Sequence, residues 1–250
     1  MTDNNIQLVS TISDDNKLTL SLKDIEMPQP GADEVVVRIE AAPLNPSDFG
    51  VMFSAADMST AVQSGTDDSP VTTADVPAKF MPALKTRVNK DTPVGNEGAG
   101  TVVAAGSSPA AQALMGKVVA VIGGGTYRKY HCVHVKSCLE MEEGTTAMEA
   151  ASSFVNPLTS LAMVETMRAE GHKAIIHAAA ASSLGQMLNR ICMADGIDLI
   201  NIVRKEEQEK LLRDMGAKYV VNSSSESFTA DLTAAIVETG ATISFDPVGG

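Results

Sequence analysis

The chain has 250 residues, of which 44% are hydrophobic, enough for one or two ordinary domain cores. Its formal net charge is -12 and no segment concentrates basic residues, which argues against nucleic acid or an anionic membrane as a partner. No apolar run approaches the roughly 20 residues that cross a bilayer, and the polar start Met1–Asn5 lacks a targeting leader, so we expect a cytoplasmic protein.

The first 150 residues predict a small β-barrel-like domain. Short apolar runs bounded by glycine or proline are typical of strands. These runs are Glu34–Glu40, Gly98–Ala104, Gly116–Ile122 and Tyr130–Val135. Between Phe53 and Pro93 the sequence is polar, weakly periodic and too long for an ordinary connection, so we expect a mobile lid or partial disorder there.

Histidines and cysteines are crowded around residue 131. If Tyr130–Val135 is a strand, His131 and His134 point to opposite faces and cannot share one metal ion. We therefore predict packing and surface roles for them, and no metal site. The three cysteines of the chain are scattered and odd in number, which suits a reducing compartment.

Residues Thr145–Arg168 carry helical periodicity and connect this half to the next. We expect a break at Asn156-Pro157, because proline disfavours helix in the residue before it. The predicted domains are residues 1–150 and residues 151–250.

Strands and helices alternate from Lys173 onward. Such alternation predicts an α/β fold with parallel strands and right-handed crossovers, as in a doubly wound sheet. The predicted strands are Lys173–Ala178, Asp198–Val203, Lys218–Asn222 and Ala241–Asp246. Helices follow the first three of them, ending at Gly196, at Gly216 and near Glu238. A complete sheet of this kind has six strands, so we expect two to be missing.

The turn Ala179–Gly185, between the first strand and the first helix, consists of small residues. Small residues let a diphosphate approach the backbone N–H groups of the following helix. Only Gly185 is a glycine here, and Ala179 and Ser182 occupy the other two positions of a glycine fingerprint. A packing turn without a ligand is the alternative.

The second strand ends in Val203-Arg204-Lys205, with no acidic residue before Glu206. A carboxylate at this point would bind a ribose 2′-hydroxyl, whereas a cation accommodates a 2′-phosphate. The sequence therefore favours NADP(H) over NAD(H). The alternative is that Arg204 and Lys205 begin an exposed charged helix.

Five motifs in order carry a family resemblance. They are Ala42–Asp48, Val94–Val103, Gly116–Val121, Pro157–Ser160 and the turn Ala179–Gly185. Together they resemble the medium-chain dehydrogenase/reductase superfamily, and most closely its zinc-independent quinone oxidoreductase branch. The resemblance extends from about residue 30 to the end, apart from Phe53–Pro93. It implies a GroES-like barrel domain followed by a Rossmann domain that is incomplete at its C-terminal end.

The resemblance also implies which residues form the sites. Asn45 and Asp48 would shape the catalytic pocket around the nicotinamide and the substrate, although the same residues could equally be a helix cap. The implied cofactor-binding residues are Thr159, Ala180, Ser182, Ser183, Leu184, Gly185, Arg204, Lys205, Asn222, Asp246, Val248 and Gly249.

Zinc enzymes of the superfamily carry metal ligands at the positions of Asn45 and Asn96, where amides are poor ligands. The expected reaction is therefore metal-free hydride transfer from NADPH to a small electrophile, a quinone or an α,β-unsaturated carbonyl. We leave the proton donor unassigned among Tyr127, Tyr130 and solvent. A non-catalytic NADPH-binding relative is the main alternative, and a zinc alcohol dehydrogenase is disfavoured.

The resemblance makes a homodimer possible. Dimers in the family commonly use the sheet edge that this chain is expected to lack, which puts that association in doubt. A missing edge strand would also expose unpaired backbone groups.

Overall fold

The structure, a computed structural model, describes residues 4–247. The chain divides into two compact units, Met1–Phe154 and Val155–Gly250. Within residues 4–247, no helix combines the length and the apolar character that a membrane crossing requires.

The first unit is built on two five-stranded antiparallel sheets. Its strands are β1 (Asn5–Ile12), β2 (Lys17–Ile25), β3 (Glu34–Ala41), β4 (Asp57–Thr66), β5 (Ser69–Asp75), β6 (Thr92–Pro93), β7 (Glu97–Ala105), β8 (Val118–Ile122), β9 (Tyr130–His134) and β10 (Cys138–Glu140). Its helices are α1 (Pro46–Met52), α2 (Met81–Leu84), α3 (Pro109–Ala113) and α4 (Ala147–Ala150).

One sheet has the order β10-β8-β7-β3-β9 and contains all four strands that the sequence predicts in this half. The side chains of Val35, Val37, Val102, Val119 and Val121 form its core and are at most 1% exposed. Residues two apart on a strand share a face, which explains how single apolar runs supply one continuous core.

The other sheet has the order β4-β5-β2-β1-β6 and corrects one expectation. The Phe53–Pro93 segment is folded and not partly disordered, because β4 and β5 form a hairpin that extends this sheet through β2. Nearly every residue of β4 is exposed, so the strand lacks the apolar alternation on which strand prediction depends.

The second unit is a four-stranded parallel sheet flanked by helices. Its elements are α5 (Val155–Ala169), β11 (Ala174–His177), α6 (Ser183–Asp195), β12 (Asp198–Val203), α7 (Glu206–Asp214), β13 (Tyr219–Asn222), α8 (Phe228–Thr239) and β14 (Ile243–Phe245). The strand order β13-β12-β11-β14 confirms the predicted doubly wound α/β topology.

The C-terminus of α6 agrees with the sequence prediction, and the N-terminus of α5 does not. Gly196 ends α6 in the left-handed conformation, with φ 67°, as its glycine predicts. The expected helix break at Asn156-Pro157 is misplaced, because the interruption lies between α4 and α5. Pro157 falls in the first turn of α5, where the N–H that proline lacks has no helical partner in any case.

Candidate functional site

A cavity of about 470 Å³ opens at the carboxyl ends of the parallel strands in the second unit. It is bordered by the turn Ala178–Ser182, the end of β12 at Ile202–Arg204, and the residues Gln208, Ser223 and Asp246. The cavity lies where the strand order changes direction, since β11 pairs with both β12 and β14. Open α/β sheets bind their ligands at such a point.

The turn that follows β11 brings the backbone unusually close to α6. Ala179 adopts φ 53°, a left-handed conformation that glycine usually supplies. A Cβ on Gly185 would lie 2.3 Å from the Ala180 carbonyl oxygen, so the close packing of turn against helix requires glycine there. The turn therefore provides both the left-handed backbone and the close helix packing of a glycine fingerprint, with a single glycine.

The start of α6 faces the end of this turn. Ser182 is the N-cap, and its Oγ accepts a hydrogen bond from the Gly185 N–H at 3.2 Å. The N–H groups of Ser183 and Leu184 belong to the first helical turn, which has no intrahelical acceptors. This arrangement of free N–H groups and the positive helix end suits a diphosphate.

Ser160, which the sequence analysis missed, holds α5 against this turn. Its fully buried Oγ lies 2.9 Å from the Asn156 carbonyl oxygen and 3.2 Å from that of Leu184. Thr159, the neighbouring predicted residue, donates its hydroxyl to the Val155 carbonyl and does not border the cavity. No sequence signal separated these two adjacent hydroxyl residues.

The two cations after β12 occupy different surroundings. Arg204 lines the cavity, its N–H donates to Gln208 Oε1 at 3.0 Å, and its carbonyl accepts from Ser224 Oγ at 2.8 Å. Lys205 is the N-cap residue of α7 and does not line the cavity. It borders a neighbouring pocket with Glu206 and Glu209, and Arg204 borders that pocket as well. The cavity thus receives one of the two predicted cations.

The remaining predicted residues divide in the same way. Asp246 lines the cavity at the end of β14. The Asn222 side chain instead accepts the Ser224 N–H and does not border the cavity. Val248 and Gly249 lie outside the described residues. Ser223, which was not predicted, borders the cavity and donates its hydroxyl to the Val203 carbonyl at 3.0 Å.

His177 at the end of β11 is a core histidine. It is fully buried, and its Nδ1 lies 3.1 Å from the Phe245 carbonyl oxygen. Burial lowers the pKa of this imidazole, which favours the neutral form. Its Nε2 has no hydrogen-bond partner in the part of the chain that the structure describes.

The first unit holds a buried polar cluster at the start of α1. Asp48 Oδ2 accepts the Asn45 N–H at 2.7 Å and lies 3.0 Å from the Tyr127 hydroxyl. Asn45 Nδ2 donates to Glu97 Oε1 at 2.9 Å, and the Phe154 N–H donates to Glu97 Oε2 at the same distance. Asn45, Asp48 and Glu97 are at most 4% exposed, so these contacts fix the N-terminus of α1 against β7.

Tyr127 reaches into this cluster from the loop before β9. Its hydroxyl lies 2.7 Å from the Pro43 carbonyl and donates to it or to Asp48. Burial chiefly, and then the hydrogen bond to Asp48, raise its pKa well above the ordinary value of a tyrosine. The phenol therefore keeps its proton at neutral pH.

The resemblance places the zinc ligands of zinc-dependent relatives at Asn45 and Asn96. Both side chains donate hydrogen bonds in this structure. Asn45 donates to Glu97, and Asn96 Nδ2 donates to Ser47 Oγ at 3.0 Å. His131 is 7% exposed, whereas His134 on the same strand is exposed. Over residues 4–247, no group of three or more His, Cys, Asp or Glu side chains is arranged to bind a metal ion.

The architecture defines a class of protein. An antiparallel β-rich unit of the GroES-like type precedes a Rossmann-type parallel sheet whose strand ends surround a cavity. This succession is the domain pair of the medium-chain dehydrogenases and reductases.

Known proteins agree with this class. No protein-family model matches the chain. The chain is 31% identical over 210 residues to a mitochondrial enoyl-[acyl-carrier-protein] reductase of Xenopus tropicalis, covering 81% of this chain and 51% of that protein. It is 28% identical over 136 residues to a quinone oxidoreductase of Pseudomonas aeruginosa, covering 54% of this chain and 42% of that protein. The chain spans about half the length of the curated relatives it matches.

Solved structures show the same relationship. A protein assigned as an NADPH:quinone reductase from Mesorhizobium loti matches with a TM-score of 0.73 and 26% identity, over 100% of this chain and 69% of that one. The CurK enoyl reductase shares the fold, with a TM-score of 0.74 and 18% identity over 99% of this chain and 68% of that one. The assignment to the medium-chain dehydrogenase/reductase superfamily is confirmed, with quinone oxidoreductases and enoyl reductases as the relatives.

Proposed function

We propose that this chain binds NADP(H) in the cavity of the second unit and transfers hydride to an electron-poor acceptor. The observation that carries the proposal is the cavity itself, which joins the start of α6 to the Arg204 side chain at the end of β12. Relatives in structure include proteins assigned as NADPH:quinone reductases, and a mycobacterial relative was solved in complex with NADPH.

The residues of the second unit fit a dinucleotide. Gly185 lets the turn pack closely against α6, and the N–H groups of Ser183 and Leu184 at the start of that helix can donate to a diphosphate. Arg204 supplies a bidentate cation for a 2′-phosphate. A bound nicotinamide supplies the hydride, and the chain supplies binding and orientation.

We propose that Asn45 and Asp48 act as positioning residues in the first unit. Their burial and their contacts with Glu97 and Tyr127 favour a role in holding α1 and its loop, which combines the two alternatives left open by the sequence. Both Glu97 oxygens accept hydrogen bonds from N–H groups, which supports a reaction without a metal ligand at this carboxylate.

Quinones and enoyl thioesters share the chemistry we propose, because both accept hydride at a carbon conjugated to a carbonyl. The curated matches favour neither exclusively, since they include enoyl reductases and a quinone oxidoreductase. The small electrophile as partner, the cytoplasmic location and a possible homodimer stay predictions, as does the absence of nucleic-acid and membrane partners.

The test is a fluorescence titration with NADPH and NADH, followed by addition of a quinone or a trans-2-enoyl thioester. We expect selective NADPH binding and NADPH oxidation with one of the two acceptors. Selective binding without oxidation by either acceptor would support the non-catalytic alternative. Failure to bind either nucleotide would refute the proposal.

The structure allows the two cations to be tested separately. Arg204→Ala should weaken NADPH binding by roughly 10- to 100-fold and leave NADH binding nearly unchanged, because only the 2′-phosphate contact is lost. Lys205→Ala should change neither affinity by more than about threefold, since Lys205 does not line the cavity. Equal weakening of both nucleotides by Arg204→Ala would contradict the assignment.

A further inference from the structure

A second polar side chain stands beside Arg204 in the cavity. Gln208 lies in the first turn of α7 and lines the cavity together with Arg204 and Ser223. Its Oε1 accepts the Arg204 backbone N–H at 3.0 Å. The amide nitrogen Nε2, with its two N–H groups, is therefore the part of Gln208 that can serve a ligand.

The sequence neighbours of Gln208 are all acidic. The run is Glu206-Glu207-Gln208-Glu209, and its uncharged member is the one that lines the cavity. Glu209 pairs with Arg213 at 2.8 Å, and Glu206 and Glu209 border the pocket next to Lys205. Successive residues of a helix point in different directions. The three glutamates of this run therefore do not line the cavity, and the residue of α7 that does line it, Gln208, is uncharged.

The carboxylate that does line the cavity lies at its other end. Asp246 follows β14, which is two strands away from β12 in the sheet. Neighbouring strands are about 4.8 Å apart, so the backbones of the two strand ends are separated by roughly 10 Å. Among the described lining residues, the Ser223 hydroxyl already donates to the Val203 carbonyl, so the donors at the Arg204 end are a guanidinium and an amide. This donor pair suits a phosphate dianion.

We propose that Gln208 is a second determinant of cofactor choice. Its Nε2 donates to the 2′-phosphate of NADP(H), and its lack of charge permits that dianion to bind beside Arg204. The inference rests on the proposed function, because it names a contact within the same nucleotide site.

The test replaces the amide with a carboxylate. Gln208→Glu keeps an acceptor for the Arg204 N–H, so the loop geometry is retained while a negative charge enters the subsite. We expect NADPH affinity to fall roughly 100-fold and NADH affinity to change by less than about threefold, because like charges repel only when the 2′-phosphate is present. Calorimetry with 2′,5′-ADP and 5′-ADP measures the same ratio without the nicotinamide.

Two further variants complete the experiment. Gln63→Glu makes the identical substitution on the exposed strand β4 and should leave both affinities unchanged. Gln208→Met keeps the length of the side chain but removes both the Nε2 donor and the Oε1 acceptor of the Arg204 N–H, and should lower 2′,5′-ADP affinity by roughly 5-fold with no effect on 5′-ADP. The methionine variant also decides the matter if Gln208→Glu does not fold.

The outcomes separate this inference from the function on which it rests. An unchanged NADPH to NADH affinity ratio in Gln208→Glu, in a chain whose wild type prefers NADPH, would overturn the inference alone. Unchanged 2′,5′-ADP binding in Gln208→Met would do the same. A wild-type chain that binds neither nucleotide would overturn the proposed function, and the inference with it.

Discussion

At the scale of single residues, Gly185 shows most directly why one position in the nucleotide turn must lack a side chain. The atom that an added Cβ would approach to 2.3 Å is a backbone oxygen, so no rotamer change can relieve the clash. The other two positions of the fingerprint hold alanine and serine. Ala179 adopts the left-handed conformation despite its Cβ, and Ser182 caps α6.

Gly185→Ala should therefore destabilise the second unit by about 2 kcal/mol, since the turn must move away from α6. The displaced turn should also weaken NADPH binding. Gly50→Ala in α1 is the matched control, because nothing lies within 4 Å of an added Cβ there and alanine favours helix. Urea denaturation checks the stability, and equal stability of Gly185→Ala and wild type would contradict the packing argument.

His131 is a second residue whose surroundings have a measurable consequence. Burial chiefly, and then the charge of Arg128, lower the pKa of His131 from 6.5 to about 4. Within the described chain, neither ring nitrogen has a hydrogen-bond partner. The unfolded chain therefore takes up a proton near pH 6.5 that the folded chain resists until about pH 4.

From this difference we expect the free energy of unfolding of the first unit to fall by up to about 3 kcal/mol as the pH drops from 6.5 to 4. The stability that the neutral His131 imidazole supplies is fully present above pH 6.5. His131→Leu should reduce this acid-side loss, whereas His134→Gln, at an exposed position of the same strand, should not. An acid-side slope in His131→Leu as steep as in wild type would refute the prediction.

At the scale of elements, the two halves of the chain differed in how well they could be predicted. In the second unit, the apolar spacing of α6, the glycines after α6 and α7, and the short apolar strands are local signals, and they place each element within a few residues. In the first unit, β4 is exposed on both faces and carries little apolar pattern. Its strand identity comes from pairing with β5, which periodicity does not reveal.

The exposed hairpin should tolerate shortening. Replacing Gly65–Pro70 with Asn-Gly would close β4 and β5 two residue pairs earlier, at Ser64 and Val71, with a two-residue turn on the same type of strand pair. Because the removed residues are exposed or only partly buried, we expect a loss of less than about 1 kcal/mol in thermal or urea unfolding.

The base of the hairpin should behave differently. Ala74 is 2% exposed, so Ala74→Asp would bury an unpaired charge and should cost at least about 2 kcal/mol. A shortened hairpin that unfolds the first unit, or an Ala74→Asp variant as stable as wild type, would show that the hairpin is anchored differently.

At the scale of the whole molecule, one unit contains the cavity that we propose binds NADP(H), and the other contains the buried cluster around Asn45 and Glu97. A ligand that binds the folded cavity stabilises it by mass action, by about 2.7 kcal/mol when its concentration is 100 times its Kd. That stabilisation should be concentrated in the unit that contacts the ligand.

We therefore expect NADPH to slow hydrogen exchange most strongly at Ala178–Ser182 and Ile202–Arg204. NADH at the same concentration should protect these segments much less, which controls for non-specific nucleotide effects. Hydrogen-exchange mass spectrometry resolves the segments. Protection confined to the first unit would refute the location of the site.

The sequence by itself determined the alternation of strands and helices, the small-residue turn, and the position of cations after the second parallel strand. These features are local, because periodicity, capping and turn chemistry act over a few residues. From them followed the α/β fold and the prediction that NADP(H) is preferred, whereas the superfamily followed from the resemblance of five motifs in order.

Only the tertiary structure decided which side chains meet. Arg204 and Lys205 are adjacent in the chain and both border the pocket at the start of α7, yet only Arg204 also lines the cavity. Likewise, Gln208 and Ser223 border the cavity, and Glu97 binds Asn45, across separations of many residues. Side-chain direction depends on how distant segments pack, and no local pattern of residues encodes that packing.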